Sequence, residues 1–207
     1  RPVIQTAFNL QWEEINELTP GHALIIRRDG SVSEKLVRQP MQKKACSFER
    51  IYFSRGSDRD IYQERMKLGQ LVCDKALAEV DFDLKNTVFS FIPNTAETAF
   101  FGLMEGIEKS LNKYKKEKIL SQKKELKQKK LEKILAKKAR VEKIVVKDAK
   151  QRTFIADTTS RGHMVSHVYD VTYGIVENEK DTLVLLDDSI VRGTTLRDSI
   201  LQIVSRL

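Results

Sequence analysis

The chain has 207 residues, of which 41% are hydrophobic, and it carries a net charge of +8. This length suits one domain of ordinary size, or one domain with part of another. No apolar run approaches the roughly 20 residues that cross a bilayer, so we expect no membrane partner. Two cysteines are too few for a disulfide framework, and a cytoplasmic location is expected. The start lacks an initiator Met and a signal peptide, which predicts a piece of a longer protein, truncated at both ends.

The positive charge is concentrated in one segment. Residues 109–143 contain 15 Lys or Arg and 4 Glu, a net +11, so the rest of the chain carries −3. The segment has no Gly or Pro and has a thin apolar stripe, which predicts a basic helical insertion of one or two helices. Nucleic-acid binding is disfavoured, because base stacking would have to rely on Tyr114 alone. A cationic patch could also attract a polyanionic substrate.

The first 80 residues predict a β-rich start and then a helix. Residues 5–10 form a candidate strand, and apolar residues 23–26 followed by Asp29-Gly30 predict a strand that enters a hairpin. Alternating aromatic and polar residues at 48–53 predict a further strand, and residues 60–80 have the apolar spacing of a helix. Residues 1–40 are too few to hold a core by themselves.

A strand, a polar turn and a helix follow one another after residue 86. Residues 87–92 predict a buried strand, which ends at the turn Pro93-Asn94-Thr95-Ala96 before an apolar helix. Either Asn94 or Thr95 could simply cap that helix. Further along, we predict a short strand at 144–146, a basic loop at 147–155 and a β-rich stretch at 167–173.

The most informative stretch is 183–196. Four apolar residues at 183–186 predict a strand buried on both faces, as in a parallel sheet. Asp187 and Asp188 end that strand, and a loop then leads to apolar residues at helical spacing from Leu196. This order places the loop at the carboxyl edge of a sheet, where open α/β folds bind ligands.

The loop and the acids suit two parts of one ligand. Backbone amides at the helix start, with the hydroxyls of Ser189, Thr194 and Thr195, can hold a phosphate. Asp187 and Asp188 would repel a phosphate, so they suit sugar hydroxyls or Mg²⁺. The pattern therefore predicts a sugar-phosphate site. The alternative is an ordinary turn with a Thr N-cap, and a Walker loop is excluded because no Gly-Lys-Ser/Thr is present.

The motif at 187–195, Asp-Asp-Ser-Ile-Val-Arg-Gly-Thr-Thr, resembles the phosphoribosyl pyrophosphate (PRPP) signature of type I phosphoribosyltransferases, in the form found in the amidophosphoribosyltransferase (glutamine PRPP amidotransferase) family. Phe-Glu-x-Ile-Tyr-Phe at 48–53 resembles the joint between the two domains of that family. Two looser likenesses are Arg-Thr-Phe-Ile at 152–155, similar to the loop that closes over PRPP, and the turn at 93–96, similar to the pyrophosphate loop.

The resemblance implies an α/β fold: a mainly parallel sheet flanked by helices. It implies that residues 1–40 end a glutaminase domain, whose nucleophilic Cys would lie upstream, and that 41–207 belong to a phosphoribosyltransferase domain carrying the 109–143 insertion. The implied PRPP-binding residues are Asp187, Asp188, Ser189, Val191, Arg192, Gly193, Thr194, Thr195 and Arg152. The implied Mg²⁺ ligands are Asp187, Asp188 and Thr95.

The implied reaction transfers glutamine-derived ammonia to C1 of PRPP, with loss of pyrophosphate, to give 5-phosphoribosylamine in purine synthesis. PRPP, glutamine or ammonia, and other copies of the chain in a homo-oligomer are the implied partners. Some relatives hold an iron–sulfur cluster with a ligand at the position of Cys46, but a cluster is not expected here because Cys73 is the one other cysteine.

Two other functions remain open. PRPP-type sites also occur in regulators that sense PRPP and bind nucleic acid, and the basic segment would suit such a protein. A nucleobase phosphoribosyltransferase is the other possibility, although those enzymes lack the glutaminase-like lead. The N-terminal segment and the motif at 48–53 favour the amidotransferase over both.

Overall fold

The structure is a computed structural model. It describes residues 2–42, 44, 46–47, 50, 54–122, 126–147, 169–188, 193 and 196–207. The chain divides into two compact units, Arg1–Asp58 and Arg59–Leu207. Most of the strand predicted at 48–53, and most of the loop predicted at 147–155, lie outside the described residues.

The first unit contains a helix, a turn and a hairpin. Helix α1 spans Pro2–Phe8, and a 3₁₀ turn spans Trp12–Glu14. Strands β1, His22–Ile26, and β2, Val32–Leu36, pair antiparallel, which confirms the predicted hairpin. Gly30 has φ +82°, the left-handed conformation that such a turn requires.

The strand predicted at 5–10 is wrong, because these residues lie in α1 and its C-terminal turn. Asn9 has φ +52°, and the amide of Leu10 donates to the carbonyl of Gln5 at 3.1 Å. This is how a helix commonly ends, with Asn tolerating the left-handed conformation. None of the described residues of the first unit is buried. The prediction that residues 1–40 end a glutaminase domain stays a prediction.

The second unit is built on a parallel sheet. Strand β3, Thr87–Phe91, pairs in parallel with β4, Arg140–Val141, on one side and with the last strand of the chain, Thr182–Leu186, on the other. Between these in sequence, β5, Val145–Lys147, pairs antiparallel with β6, Tyr169–Val171. The strand Thr182–Leu186 is therefore β7.

Helices cover this sheet. Helix α2 spans Arg59–Glu79 and α3 spans Glu97–Ser121. Helix α4 spans Gln128–Leu135, and the C-terminal helical segment consists of a π-helical turn, Leu196–Ile200, followed by α5, Leu201–Val204. The predicted α/β class, a mainly parallel sheet flanked by helices, is confirmed.

The two faces of β3 contact different cores. Phe89 packs with side chains of α2 and α3, including Leu77 and Leu103. Val88 points the other way. It packs with Ile144, which precedes β5, with Val171 of β6 and with Ile203 of α5. Strand β3 is thus buried on both faces, as predicted.

Strand β7 differs from its prediction. The residues of β7 from Leu183 to Leu186 are only half-buried, and Thr182 is exposed. In the described part of the chain β7 pairs with β3 along one side only. Its apolar sequence reflects a parallel-sheet environment, but an edge position leaves part of each side chain accessible.

Helices α2 and α3 approach each other at glycine contacts. A Cβ added at Gly69 would lie 1.8 Å from the carbonyl oxygen of Ala99, and one added at Gly102 would lie 1.9 Å from that of Met66. Beside this contact, Nε2 of Gln70 donates to Oε2 of Glu105 at 2.9 Å. The absence of side chains at Gly69 and Gly102 is therefore what lets the two helices pack this closely.

The basic segment at 109–143 contains parts of two helices, and its status as an insertion stays a prediction. Its first part is the C-terminal half of α3, and α4 follows; Nζ of Lys115 donates to the carbonyl of Leu135 at 2.9 Å. Nζ of Lys137 lies 4.7 Å from the centroid of the Tyr114 ring. A cavity of about 500 Å³ lies between α2, α3 and residues 137–139. The two-helix version of the prediction is confirmed for this part.

The predicted helical structure is wrong at the end of this segment, because Arg140–Val141 forms β4 of the sheet. Arg140 also makes a bidentate ion pair with Asp181, with distances of 2.7 Å and 3.0 Å. This pair lowers the pKa of the buried Asp181 carboxyl and ties β4 to the segment that enters β7. Separately, no helix in the described ranges combines the length and the apolar character that crossing a bilayer demands.

Candidate functional site

The two polar turns predicted to carry the site begin at the same edge of the sheet. In the register of β3 and β7, Phe91 is opposite Leu186, and the amide of Ile92 donates to the carbonyl of Leu186 at 2.9 Å. Paired strands lie about 4.8 Å apart. Asp187 and the turn at 93–96 therefore leave the sheet side by side, although about ninety residues separate them in sequence.

Asp187 and Asp188 form a half-buried acidic pair. The amide of Asp188 donates to Oδ1 of Asp187 at 2.9 Å. Burial, followed by the charge of Asp188, raises the pKa of Asp187 to about 6, against the donated amide, which lowers it. An ionised Asp187 is thus disfavoured at this position, and a bound cation or hydroxyl donors would relieve that cost.

Tyr169 is a site residue that the sequence analysis missed. It is half-buried on β6 and packs against the same buried cluster as Leu185, that of Ile92, Val145 and Ile200. Burial, and then the charges of Asp187 and Asp188, raise the pKa of its hydroxyl. In sequence it is an aromatic residue within a short strand, which predicts core packing and nothing more.

The turn at 93–96 does not serve as a side-chain cap. Helix α3 begins at Glu97, and its N-cap residue is Ala96, without a side-chain hydrogen bond to the helix. Asn94 and Thr95 are exposed at the carboxyl edge. The interpretation of these residues as ordinary caps is therefore wrong. Ala96 has φ −74°, so the turn needs no glycine at that position.

Gly193 is the one member of the predicted phosphate loop that the structure describes. It has φ +69°, which favours glycine, and its carbonyl accepts a hydrogen bond from the amide of Arg197 at 2.8 Å. The helical segment from Leu196 thus begins where the motif predicts. The remaining predicted residues lie outside the described part of the chain: Arg152, Ser189, Val191, Arg192, Thr194 and Thr195.

Asp187, Asp188 and Thr95, the three residues predicted to serve a metal, follow the paired ends of β3 and β7 at the same edge of the sheet; their role as metal ligands stays a prediction. Within the described ranges, no cluster of three or more His, Cys, Asp or Glu side chains could hold a metal ion. A metal here would rely on the acidic pair and on ligands of other types. Cys73 is buried in the core between α2 and α3, where burial raises the pKa of its thiol.

We expect Asp187→Asn to stabilise the metal-free protein above pH 6. The folded-state pKa of about 6 lies above the ordinary value of 3.8, so wild-type stability falls as pH rises from about 4 to 6. Asn keeps an oxygen for the Asp188 amide and does not titrate. Thermal melts with a chelator at several pH values should show a higher Tm for Asp187→Asn than for wild type above pH 6, and no difference near pH 3.5.

Asp83→Asn is the control of opposite sign, because hydrogen bonds from Asn86 lower the pKa of Asp83. A difference in Tm between Asp187→Asn and wild type that does not change with pH would contradict the prediction.

The fold and the site define an α/β protein with a polar site at the carboxyl ends of adjacent parallel strands, the usual ligand position in such folds. The chain is 27% identical over 190 residues to a protein named "Amidophosphoribosyltransferase" from Bacillus subtilis (strain 168), covering 88% of this chain and 32% of that protein. No protein-family model matches it. The predicted resemblance to amidophosphoribosyltransferase is confirmed.

A solved structure agrees on the fold. This structure, of the allosteric regulatory enzyme of purine biosynthesis, superposes with a TM-score of 0.59 at 23% identity, covering 93% of this chain and 34% of that one. The chain thus spans about a third of the length of each of these two proteins.

Proposed function

We propose that this chain is part of a PRPP-utilising phosphoribosyltransferase, and that the reaction is that of an amidophosphoribosyltransferase. The observation that carries the proposal is the register of β3 and β7. Because Phe91 lies opposite Leu186, the turn at 93–96 and the acidic pair follow adjacent strand ends. A site for PRPP must hold a ribose diol next to a pyrophosphate. The sequence similarity to an enzyme of that name supports the finer assignment.

In this proposal Asp187 and Asp188 accept hydrogen bonds from the ribose hydroxyls. Loop 189–195 holds the 5-phosphate, with Gly193 allowing the backbone to approach closely. Mg²⁺ fits the same edge, because two adjacent carboxylates, one of them costly to ionise, match the oxygen ligands that Mg²⁺ prefers. When bound, Mg²⁺ would supply positive charge to the pyrophosphate oxygens. Asp187, Asp188 and Thr95 are the residues proposed to hold it.

The reaction places modest chemical demands on the protein. Nitrogen of ammonia bonds to C1 of the ribose, the bond from C1 to the pyrophosphate oxygen breaks, and that oxygen leaves with the electron pair. Ammonia then loses one proton to solvent. Because no side chain acts as nucleophile, the protein must position the ribose and stabilise charge on the departing anion. Thr95 and Arg152 are proposed to face that anion.

The test is release of pyrophosphate from PRPP by the full-length protein in the presence of ammonium salts. We expect pyrophosphate release that depends on ammonia. We also expect release when glutamine replaces ammonia as the nitrogen donor. Nucleobases replace ammonia in a parallel reaction; release with a nucleobase but not with ammonia would favour the nucleobase transferase. No release with any acceptor, in a protein that binds PRPP, would contradict the enzymatic function.

One observation favours a second function, that of a PRPP-sensing regulator. Residues 109–143 carry a net +11, and α4 within them is exposed except for half-buried Leu131 and Ile134. Filter binding of duplex DNA over a salt series separates the two functions. Retention that weakens steeply with salt supports the regulator, and absence of retention supports the enzyme.

A further inference from the structure

We propose that Arg65 is a positioning residue that holds the turn at 93–96 in place for the departing pyrophosphate and adds positive charge beneath it. Arg65 lies on α2, outside the motif at 187–195 and the turn at 93–96 that predict the site. Pyrophosphate is the leaving group of the reaction proposed above, so this role of Arg65 rests on that function.

Arg65 is a charged side chain inside the fold. Its residue is 6% exposed, and Nη1 donates to the carbonyl oxygen of Thr95 at 3.4 Å. A buried guanidinium is costly unless it is hydrogen-bonded. The residue that receives its hydrogen bond is the one proposed to face pyrophosphate.

The position of Arg65 is set by the closest contact between α2 and α3. Gly69, one helical turn after Arg65, lies against the backbone of Ala99, and Gly102 lies against the backbone of Met66, the neighbour of Arg65. Ala99 and Gly102 belong to the first turns of α3, which begins directly after the turn at 93–96. The distance between Arg65 and Thr95 is therefore fixed by backbone packing and does not depend on a flexible side chain alone.

This geometry separates two tasks at one sheet edge. Asp187 and Asp188, on β7, address the ribose. Arg65, through the carbonyl of Thr95 after β3, orients the turn and places a positive charge behind it, where negative charge develops as the C1–O bond breaks. Charge placed in advance inside a low-dielectric environment needs no reorganisation during the reaction.

The experiment uses the full-length protein with Arg65→Gln and Arg65→Lys. Calorimetry measures affinity for magnesium pyrophosphate and for ribose 5-phosphate separately, and steady-state assays measure kcat and the KM for ammonia. Removing a direct oxyanion donor costs about 10²–10³-fold in kcat, so a residue that acts through a backbone carbonyl should cost about 10–100-fold.

We expect Arg65→Gln to weaken pyrophosphate binding and lower kcat, while ribose 5-phosphate affinity and the KM for ammonia stay at wild-type values. Arg65→Lys should recover part of both losses, because it restores the charge but not the planar donor geometry. Arg59→Gln, an exposed Arg on the same helix, is the matched control and should behave as wild type.

Equal losses for both ligands, or no loss, would overturn the role of Arg65 while leaving the proposed function intact. Should Arg65→Gln not fold, Arg65→Lys decides: unchanged pyrophosphate affinity and kcat would overturn the role. A wild-type protein that binds neither ribose 5-phosphate nor PRPP would overturn the proposed function, and the role of Arg65 with it.

Discussion

Replacing Asp187 and Asp188 together by Asn is expected to abolish measurable PRPP binding. In the proposed site each carboxylate accepts a hydrogen bond from a ribose hydroxyl, and hydrogen bonds to charged groups contribute about 1.5–3 kcal/mol each. Since about 1.4 kcal/mol changes a dissociation constant tenfold, losing two such bonds should weaken binding by roughly a hundredfold or more. Isothermal calorimetry of the full-length protein with PRPP and Mg²⁺ measures this loss.

The control removes the same two charges elsewhere. Asp74 and Glu79 are both exposed on α2, and the C-terminal end of that helix leads toward the start of β3, opposite the carboxyl edge. Asp74→Asn with Glu79→Gln should leave PRPP affinity unchanged. A double Asn variant at 187 and 188 that still binds PRPP with wild-type affinity would remove the acidic pair from the site, and the proposed function would lose its main support.

The central part of the fold follows from local sequence. The segments 87–91 and 182–186 are mostly apolar and can be recognised as strands from their composition. The polar turn after each strand marks a carboxyl edge. Two strands with those features predict a parallel pair and a shared site. Their register could not be predicted, because any of several offsets would bury the same apolar residues; the structure fixes it at Phe91 opposite Leu186.

Other features depend on contacts that sequence patterns do not contain. Arg140 and Val141 end a run of basic, helix-favouring residues, and only pairing with β3 and the ion pair to Asp181 make them a strand. Arg65 contacts Thr95 from α2, and the charges of the acidic pair affect Tyr169 on β6; neither element has a motif of its own. Residues 5–10 contain β-favouring side chains, but among the described residues they pair with no strand, and residues 5–8 belong to helix α1.

Gly69 and Gly102 carry the largest expected effect on stability. Ala would ordinarily favour a helix over Gly by about 1 kcal/mol at each position. Here the added methyl groups would meet backbone atoms at 1.8 Å and 1.9 Å, and backbone cannot move aside as a flexible side chain can. Overpacking costs about 1–3 kcal/mol per site and occasionally more. Packing therefore outweighs propensity, and we expect the double variant Gly69→Ala, Gly102→Ala to lose several kcal/mol or to fail to fold.

The measurement is urea unfolding of both single variants and of the double variant, monitored by circular dichroism. Lys113→Ala and Lys116→Ala, both exposed on α3, are the controls and should stay within about 0.5 kcal/mol of wild type. A Gly102→Ala variant that gained about 1 kcal/mol, as helix propensity alone requires, would show that α2 and α3 are not in close contact. The close contact also holds Arg65 beneath Thr95, so a folded Gly102→Ala variant should lose pyrophosphate affinity while its ribose 5-phosphate affinity is retained.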